Sequence, residues 1–218
     1  MFNFFKTSAW QRYKKALAAK FPDIVNNLNK GASDNEISLA EKEINVKLPE
    51  QLKALYRENN GDNDKMLCGA VMGFHFYSLN EIVSSCNGWK EVYEDYIKDP
   101  EAFDEFQESE PDGYIKKQYV NLKWIPICDD AAGNHIGIDL DPDRLGKTGQ
   151  IINFGRDEEH KIVIADDLNS FIERMTRIVN SSHFALDEYD GEKVIVLNTP
   201  DTSYSHFIDY LKSGKAVK

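Results

Sequence analysis

Between Trp124 and Pro142 the chain alternates, breaks and alternates again. Ile125 and Ile127 lie two residues apart, Gly133-Asn134 interrupts, and Ile136, Ile138 and Leu140 resume the same period. Period two places these side chains on one face of a strand, and a Gly-Asn break between two such runs marks a hairpin. A hairpin does not stand alone in water, so the rest of the chain must supply further strands and a covering layer.

The flanks read accordingly. Residues 150–154 and 161–165 have strand character, 122–128 and 135–140 form the hairpin itself, and 73–78 is a short strand. Helical spacing runs from Trp10 to Ala19, and Pro22 restarts a short helix through Leu28. Ser33-Asp-Asn-Glu36 and Ser78-Leu-Asn-Glu81 have capping-box spacing and open helices to Ile44 and to about Ile97. Pro49 suits the first turn of a helix that Gly61 would end in the left-handed conformation. Leu168, Phe171, Ile172, Met175 and Ile178 share one side of a helix over 167–179. Beyond it, a hairpin turning at Asp190-Gly191 should extend the same sheet, and Thr202–Lys212 should close as a helix. Residues 91–112 hold ten acids against one base, Lys98, and read as a solvated acidic helix or loop that Phe103 and Phe106 could tack down. The fold class is α+β: a mixed sheet of five or more strands with helices packed mainly on one face. One domain over 1–218 is expected, with a core at about 9–180, an acidic insertion at about 99–121 and a hairpin-helix extension at about 183–218.

Charge narrows the partners. A net charge of −11 disfavours nucleic acid, whose phosphates need a basic footprint. Cys68, Cys86 and Cys128 form no C-x-x-C pair, so neither a disulfide framework nor a zinc site is suggested, and reduced thiols fit a cytoplasmic protein. The apolar patch of Met1–Lys6 is too short for a signal peptide, and no stretch has the length of a membrane span.

Several chemistries can be weighed. Asp139-Leu-Asp141-Pro-Asp143 suggests a calcium loop, but its sixth and twelfth positions are Arg144 and Gln150 where an EF-hand needs Gly and Glu. These acids suit a strand exit, where Asp accepts turn N–H groups. Gly146-Lys147-Thr148 is not a P-loop, because the first glycine would fall at Asp141. Cys128, His135 and Asp129 or Asp130 could form a Cys-His-acid set, yet neighbouring carboxylates would raise the thiol pKa and oppose its activation. His75, His160, His183 and His206 have no zincin spacing. A carboxylate pair at glycosidase distance stays open, with no pair singled out. No cofactor and no metal site are expected.

Three stretches in order carry a family resemblance. Gly31–Ile44 leads into Leu48-Pro49-Glu-Gln-Leu-Lys-Ala-Leu-Tyr56 and ends at Asn60-Gly61; the Trp124–Pro142 hairpin follows; Gly149–Phe154 and Ile164–Phe171 complete the set. The chain resembles the SUKH superfamily, in the branch named for the fungal Smi/Knr cell-wall-assembly regulators. The resemblance covers about residues 9–180 and is weak over 99–121 and beyond Asn180. It implies a binding scaffold more than an enzyme, and bacterial members of the branch commonly look like immunity proteins of toxin systems.

The preferred expectation is thus an immunity protein that binds a cognate basic protein toxin, such as a nuclease, without turnover. Negative charge would steer and match such a partner. The contact residues expected are Asp129, Asp130, Asn134, Asp139, Asp141 and Asp143, with Glu108, Glu110, Asp157, Glu158 and Glu159 as rim charges. Tyr77 and Trp89 are aromatic anchor candidates. The alternatives are a regulatory or scaffold protein, and a metal-dependent hydrolase.

Overall fold

The computed structural model describes residues 7–63, 66 and 68–217. Ser8 caps α1 (Ala9–Ala18), whose Trp10, Tyr13 and Leu17 are buried at helical spacing. A proline opens α2 (Pro22–Asn26). Both serine capping boxes form: Ser33 with Glu36 starts α3 (Asp34–Ile44), and Ser78 with Glu81 starts α5 (Leu79–Tyr96). Between them lie α4 (Glu50–Glu58), with Pro49 at its N-cap, and the two-residue β1 (His75–Phe76). Gly61 has φ +80°, but α4 has already ended at Glu58. What Gly61 allows is close approach: a Cβ there would stand 2.5 Å from the Ser78 nitrogen and 2.8 Å from the Phe76 carbonyl.

The sheet strands are β2 (Glu108–Glu110), which follows the short α6 (Pro100–Asp104), then β3 (Trp124–Asp129), β4 (Asn134–Asp139), β5 (Gln150–Gly155) and β6 (His160–Ala165). Their order is β1-β3-β4-β5-β6-β2, antiparallel throughout except for the parallel β2–β6 pair. Alternation divides the sheet into two faces. Ile125, Ile136, Ile138, Ile151, Ile162 and Ile164 enter the main core with α1, α3, α4 and α7 (Leu168–Val179). Trp124, Ile152 and Phe154 point the other way and pack with Ile115.

That second face revises the reading of residues 99–121. The segment is not a solvated insertion: it supplies edge strand β2 and buries Gln107, Ser109, Ile115 and Val120. A sheet whose helices lie mainly on one side needs a second cover, and this segment provides it. Phe103 packs against Tyr96 and Tyr119, whereas Phe106 is 68% exposed and tacks nothing down.

The C-terminal hairpin also departs from expectation. Asp190 and Gly191 have φ 52° and 79°, a turn of the I′ kind between β7 (Phe184–Tyr189) and β8 (Glu192–Asn198). The hairpin joins β9 (Ser203–Tyr204) in a separate three-stranded sheet rather than extending the first. The edge strands of the six-stranded sheet are β1 and β2. The hairpin still shares the main core through Phe184, Ile195 and Leu197, as does α8 (Phe207–Lys212) through Phe207 and Ile208.

Candidate protein-binding surface

The acids of the hairpin tip have partners inside the chain. One oxygen of Asp130 accepts the backbone N–H groups of Ala132 (2.8 Å) and Asn134 (3.0 Å). The other accepts from the Asn134 amide (2.8 Å) and meets His206 Nε2 at 3.2 Å. Burial works to raise this carboxyl, but hydrogen bonds from His206, Asn134 and the turn outweigh it and hold it well below the usual range. Asn134 is buried and uses its own oxygen on the Asp157 N–H at 2.9 Å. Asp130 and Asn134 therefore close the turn and present no contact surface.

The strand exit is similar. Asp139 is fully buried; it accepts the Asp141 N–H (2.9 Å) and the Gln150 amide (2.8 Å), and burial pushes its carboxyl up to about 6. Asp141 accepts from Lys116 (2.6 Å) and Asn121 (2.9 Å), and Asp143 from the Arg144 N–H (2.8 Å). Glu158 is buried between Asn153 and Lys212, each at 2.5 Å. Beside it lies a group that sequence reasoning missed. Lys161 is fully buried, donates to the Glu158 carbonyl (2.9 Å) and to Gln107, and lies 5.5 Å from the Trp124 ring centre. Burial lowers its ammonium to about 8. A lysine inside a strand pattern gives no sequence signal of such a site.

Tyr77 and Trp89 anchor a different arrangement. Ring centroids run in one unbroken series: Tyr77 to His135 (5.9 Å), His135 to Trp89 (5.9 Å), Trp89 to Tyr119 (6.1 Å) and Tyr119 to Phe103 (5.5 Å). Phe103 meets Tyr96 at 6.0 Å and Tyr96 meets Tyr93 at 5.8 Å. Trp89, Tyr93 and Tyr96 come from one side of α5, at i, i+4 and i+7. Tyr77, Trp89, Tyr93, Phe103 and Tyr119 are half-buried. Asp104 fixes the far half: it accepts the Tyr96 hydroxyl and the Tyr119 N–H, both at 2.8 Å.

Open carboxylates border this stripe. Burial, then a hydrogen bond to Asp129, push up the Tyr77 phenol, which puts half-buried Asp129 at one end. At the Tyr119 side, burial and then the charge of Asp157, with a smaller share from Glu159, raise that phenol. Asp157 and Glu159 are exposed, and exposed Glu108 joins Glu159 by a 2.8 Å backbone hydrogen bond. Glu110 is exposed on β2 and meets His160 at 3.0 Å. The expected residues thus separate into a structural group (Asp130, Asn134, Asp139, Glu158), two half-buried acids with a partner in the chain (Asp141, Asp143), and a group at the aromatic stripe and its border (Tyr77, Trp89, Asp129, Glu108, Glu110, Asp157, Glu159). Tyr93, Phe103 and Tyr119 were missed; the spacing of Tyr93 from Trp89 was the available signal, and it reads equally as a core face.

The thiol reading finds no geometry. Cys128 is fully buried in the main core with its Sγ 3.9 Å from the Ile136 carbonyl, and burial pushes the thiol well above its usual range. His135 points to the opposite face, among Tyr77, Trp89 and Phe154. Among the described residues no three His, Cys, Asp or Glu side chains gather as a metal-ligand set, and no helix is long and apolar enough to cross a membrane.

Residues 31–174 match the model of the SMI1 / KNR4 family (SUKH-1). The chain is 27% identical to the cell wall assembly regulator SMI1 of Saccharomyces cerevisiae, over 96% of this chain and 49% of that protein. It is 27% identical to the cell wall biosynthesis/cell cycle regulator smi1 of Schizosaccharomyces pombe, over 94% of this chain and 42% of the relative. It is 25% identical to the glucan synthesis regulatory protein of Neurospora crassa, over 85% and 40% respectively. The chain therefore spans less than half the length of these relatives. They are fungal regulators by name rather than bacterial immunity proteins, and they favour the regulatory reading over the toxin-binding one.

Proposed function

The chain belongs to the SMI1/KNR4 (SUKH-1) family, and from that premise we propose that it is a non-enzymatic protein-binding module with a regulatory or scaffolding role, akin to the cell-wall regulators it is similar to. It docks a basic segment of another protein on the aromatic stripe. The carrying observation is the half-buried run Tyr77–Trp89–Tyr119–Phe103, bordered by Asp129, Asp157, Glu159 and Glu108. Aromatic side chains give large contact area at low entropic cost, and the carboxylates around them select cations and speed encounter.

The test is capture of partners from a lysate of the protein's own cells on immobilised wild type, Trp89→Ala and Asp143→Asn, with thermal midpoints for each. A basic protein that wild type and Asp143→Asn retain and Trp89→Ala loses, with the midpoint of Trp89→Ala shifted only a few degrees, supports the reading. Equal retention on all three would sink it.

A further inference from the structure

The edges of the two sheets differ in length. The six-stranded sheet ends in strands of two and three residues, β1 and β2. On one side the three-stranded sheet ends in β9, of two residues. Its other edge is β7, six residues long, paired with β8 in an unbroken register and without a proline. Very short edge strands offer little backbone to pair with, so among the described residues β7 is the edge with room for a further strand.

The register fixes where the backbone of β7 points. The Asn198 N–H donates to the His183 carbonyl at 2.7 Å, one step beyond the Phe184–Leu197 pair. Hydrogen-bonded pairs alternate along an antiparallel ladder, so Ala185, Asp187 and Tyr189 bond β8, while Phe184, Leu186 and Glu188 turn N–H and C=O outward. The two-residue loop at Asp190-Gly191 agrees, since it closes on the Tyr189–Glu192 pair. Of the outward groups, the Glu188 N–H goes to the neighbouring Asp187 carboxylate at 2.9 Å. The others have no protein partner among the described residues. Leu186 is half-buried and Glu188 exposed. Backbone groups in that position bond water until another strand replaces it.

The side chains say what that strand carries. Asp187, Glu188, Asp190 and Glu192 stand at the turn end against one base, Lys193. Asp187 and Glu188 have no ion-pair partner among the described residues. Asp187 shares a face with Tyr189, which is 68% exposed, and Glu188 lies on the other face. The opposite end of β7, Phe184-Ala185-Leu186, is uncharged.

We propose that β7 accepts an extended segment of a partner protein as a fourth, antiparallel strand. The guest begins with basic residues, facing Tyr189, Glu188 and Asp187, and continues with β-branched residues along Leu186, Ala185 and Phe184. Backbone hydrogen bonds hold such a guest and alternate side chains select it, which is strand addition at a free edge. Opposite charges directly across a strand pair favour it and like charges oppose it. The site is separate from the aromatic stripe and does not depend on it.

The probe is the peptide Gly-Arg-Lys-Arg-Val-Thr-Val, labelled with fluorescein at its N-terminus and titrated with the full chain by fluorescence anisotropy. In the proposed register the N–H groups of its lysine and two valines face β7, and those of its second arginine and its threonine face solvent. N-methylation of the first set lowers affinity at least tenfold, whereas N-methylation of the second set changes it by no more than about threefold. Both peptides meet the same folded protein, so loss of fold cannot produce this contrast. The double variant Asp187→Lys/Glu188→Lys weakens the unmodified peptide about tenfold with its thermal midpoint nearly unchanged, and Trp89→Ala leaves binding unaltered. No binding at about 1 mM peptide, equal effects of the two methylation patterns, or indifference to the double variant overturns the proposal. So does a dimer in sedimentation that the peptide dissociates, which would assign the edge to a second copy of the chain.

Discussion

Asp130 and Asp157 belong to one turn network, yet their carboxylates stand in opposite circumstances. The Asp157 N–H donates to Asn134, whose own amide donates to Asp130. Asp130 has a side chain 6% exposed and four donors around it, while that of Asp157 is 66% exposed and meets Arg156 at 3.9 Å. The same residue type holds a loop together in one place and faces solvent in the other. The difference lies in where N–H groups fall: a left-handed Ala131 and Gly133 turn the amides of Ala132 and Asn134 onto Asp130, which serves as their acceptor. Recognition is therefore better sought around the carboxylates the fold leaves open, beside the aromatic stripe, than in the densest run of acids.

The contrast can be broken by substitution, and the largest effect belongs to the internal partner. Asp130→Ala strands the N–H groups of Ala132 and Asn134, the Asn134 amide and His206, and should cost about 2–4 kcal/mol; Asp157→Ala should stay within about 0.5 kcal/mol. Urea unfolding of both variants checks this, and equal costs would erase the distinction. Next is Trp89→Ala, which should weaken capture of the partner by roughly thirtyfold, the scale of an interface anchor of about 2 kcal/mol, read by titration of that partner.

His75 comes third. It joins Asp62 and Glu81, which raise its imidazolium to about 10, and so fastens the start of α5 to β1 and the preceding loop. Its folded value lies above the ordinary 6.5, so its stabilisation is complete below 6.5 and is lost as pH rises toward about 10. Glu81 has the opposite sign: burial opposes ionisation, but His75 and Ser78 bring it down to about 2, so its share is present above 4.5 and lost as pH falls toward 2. His75→Gln should cost about 1–2 kcal/mol at neutral pH and flatten the decline above pH 6.5. Lys161 acts in reverse between about 8 and 10.5, where the folded state has given up its proton first, so the useful quantity is the difference between variant and wild type across pH. A difference that does not change with pH would remove His75 from the account. The smallest effect is Asp157→Lys with Glu159→Lys, a loss of about fivefold in partner affinity that grows at low salt, with stability nearly unchanged.

Much of the fold is legible from local chemistry. The two serine boxes, the hairpin alternation and the Asp190-Gly191 turn each rest on a few neighbouring residues, and each forms. What sequence does not carry is long-range competition for surface. Nothing local in Glu108-Ser-Glu110 announces a parallel edge strand, since its partner β6 lies some fifty residues on. β2 forms that edge, and the terminal hairpin pairs in a sheet of its own. The candidate site divides in the same way. Asp139 and Asp141 look like solvent-facing exit acids until Gln150 reaches the first and Lys116 the second from other segments. Tyr93 stands at helical spacing from the anchor candidate Trp89 and reads equally as a core position, and in the structure both are half-buried.

The most direct measurement is hydrogen exchange of the full chain with and without the captured partner. The account predicts added protection in 89–96, 100–104 and 115–121, the segments that build the stripe, with 129–134 unchanged because its amides are already held by Asp130. Protection confined to 129–134 and 139–143, with α5 unaffected, would contradict it and return recognition to the hairpin acids.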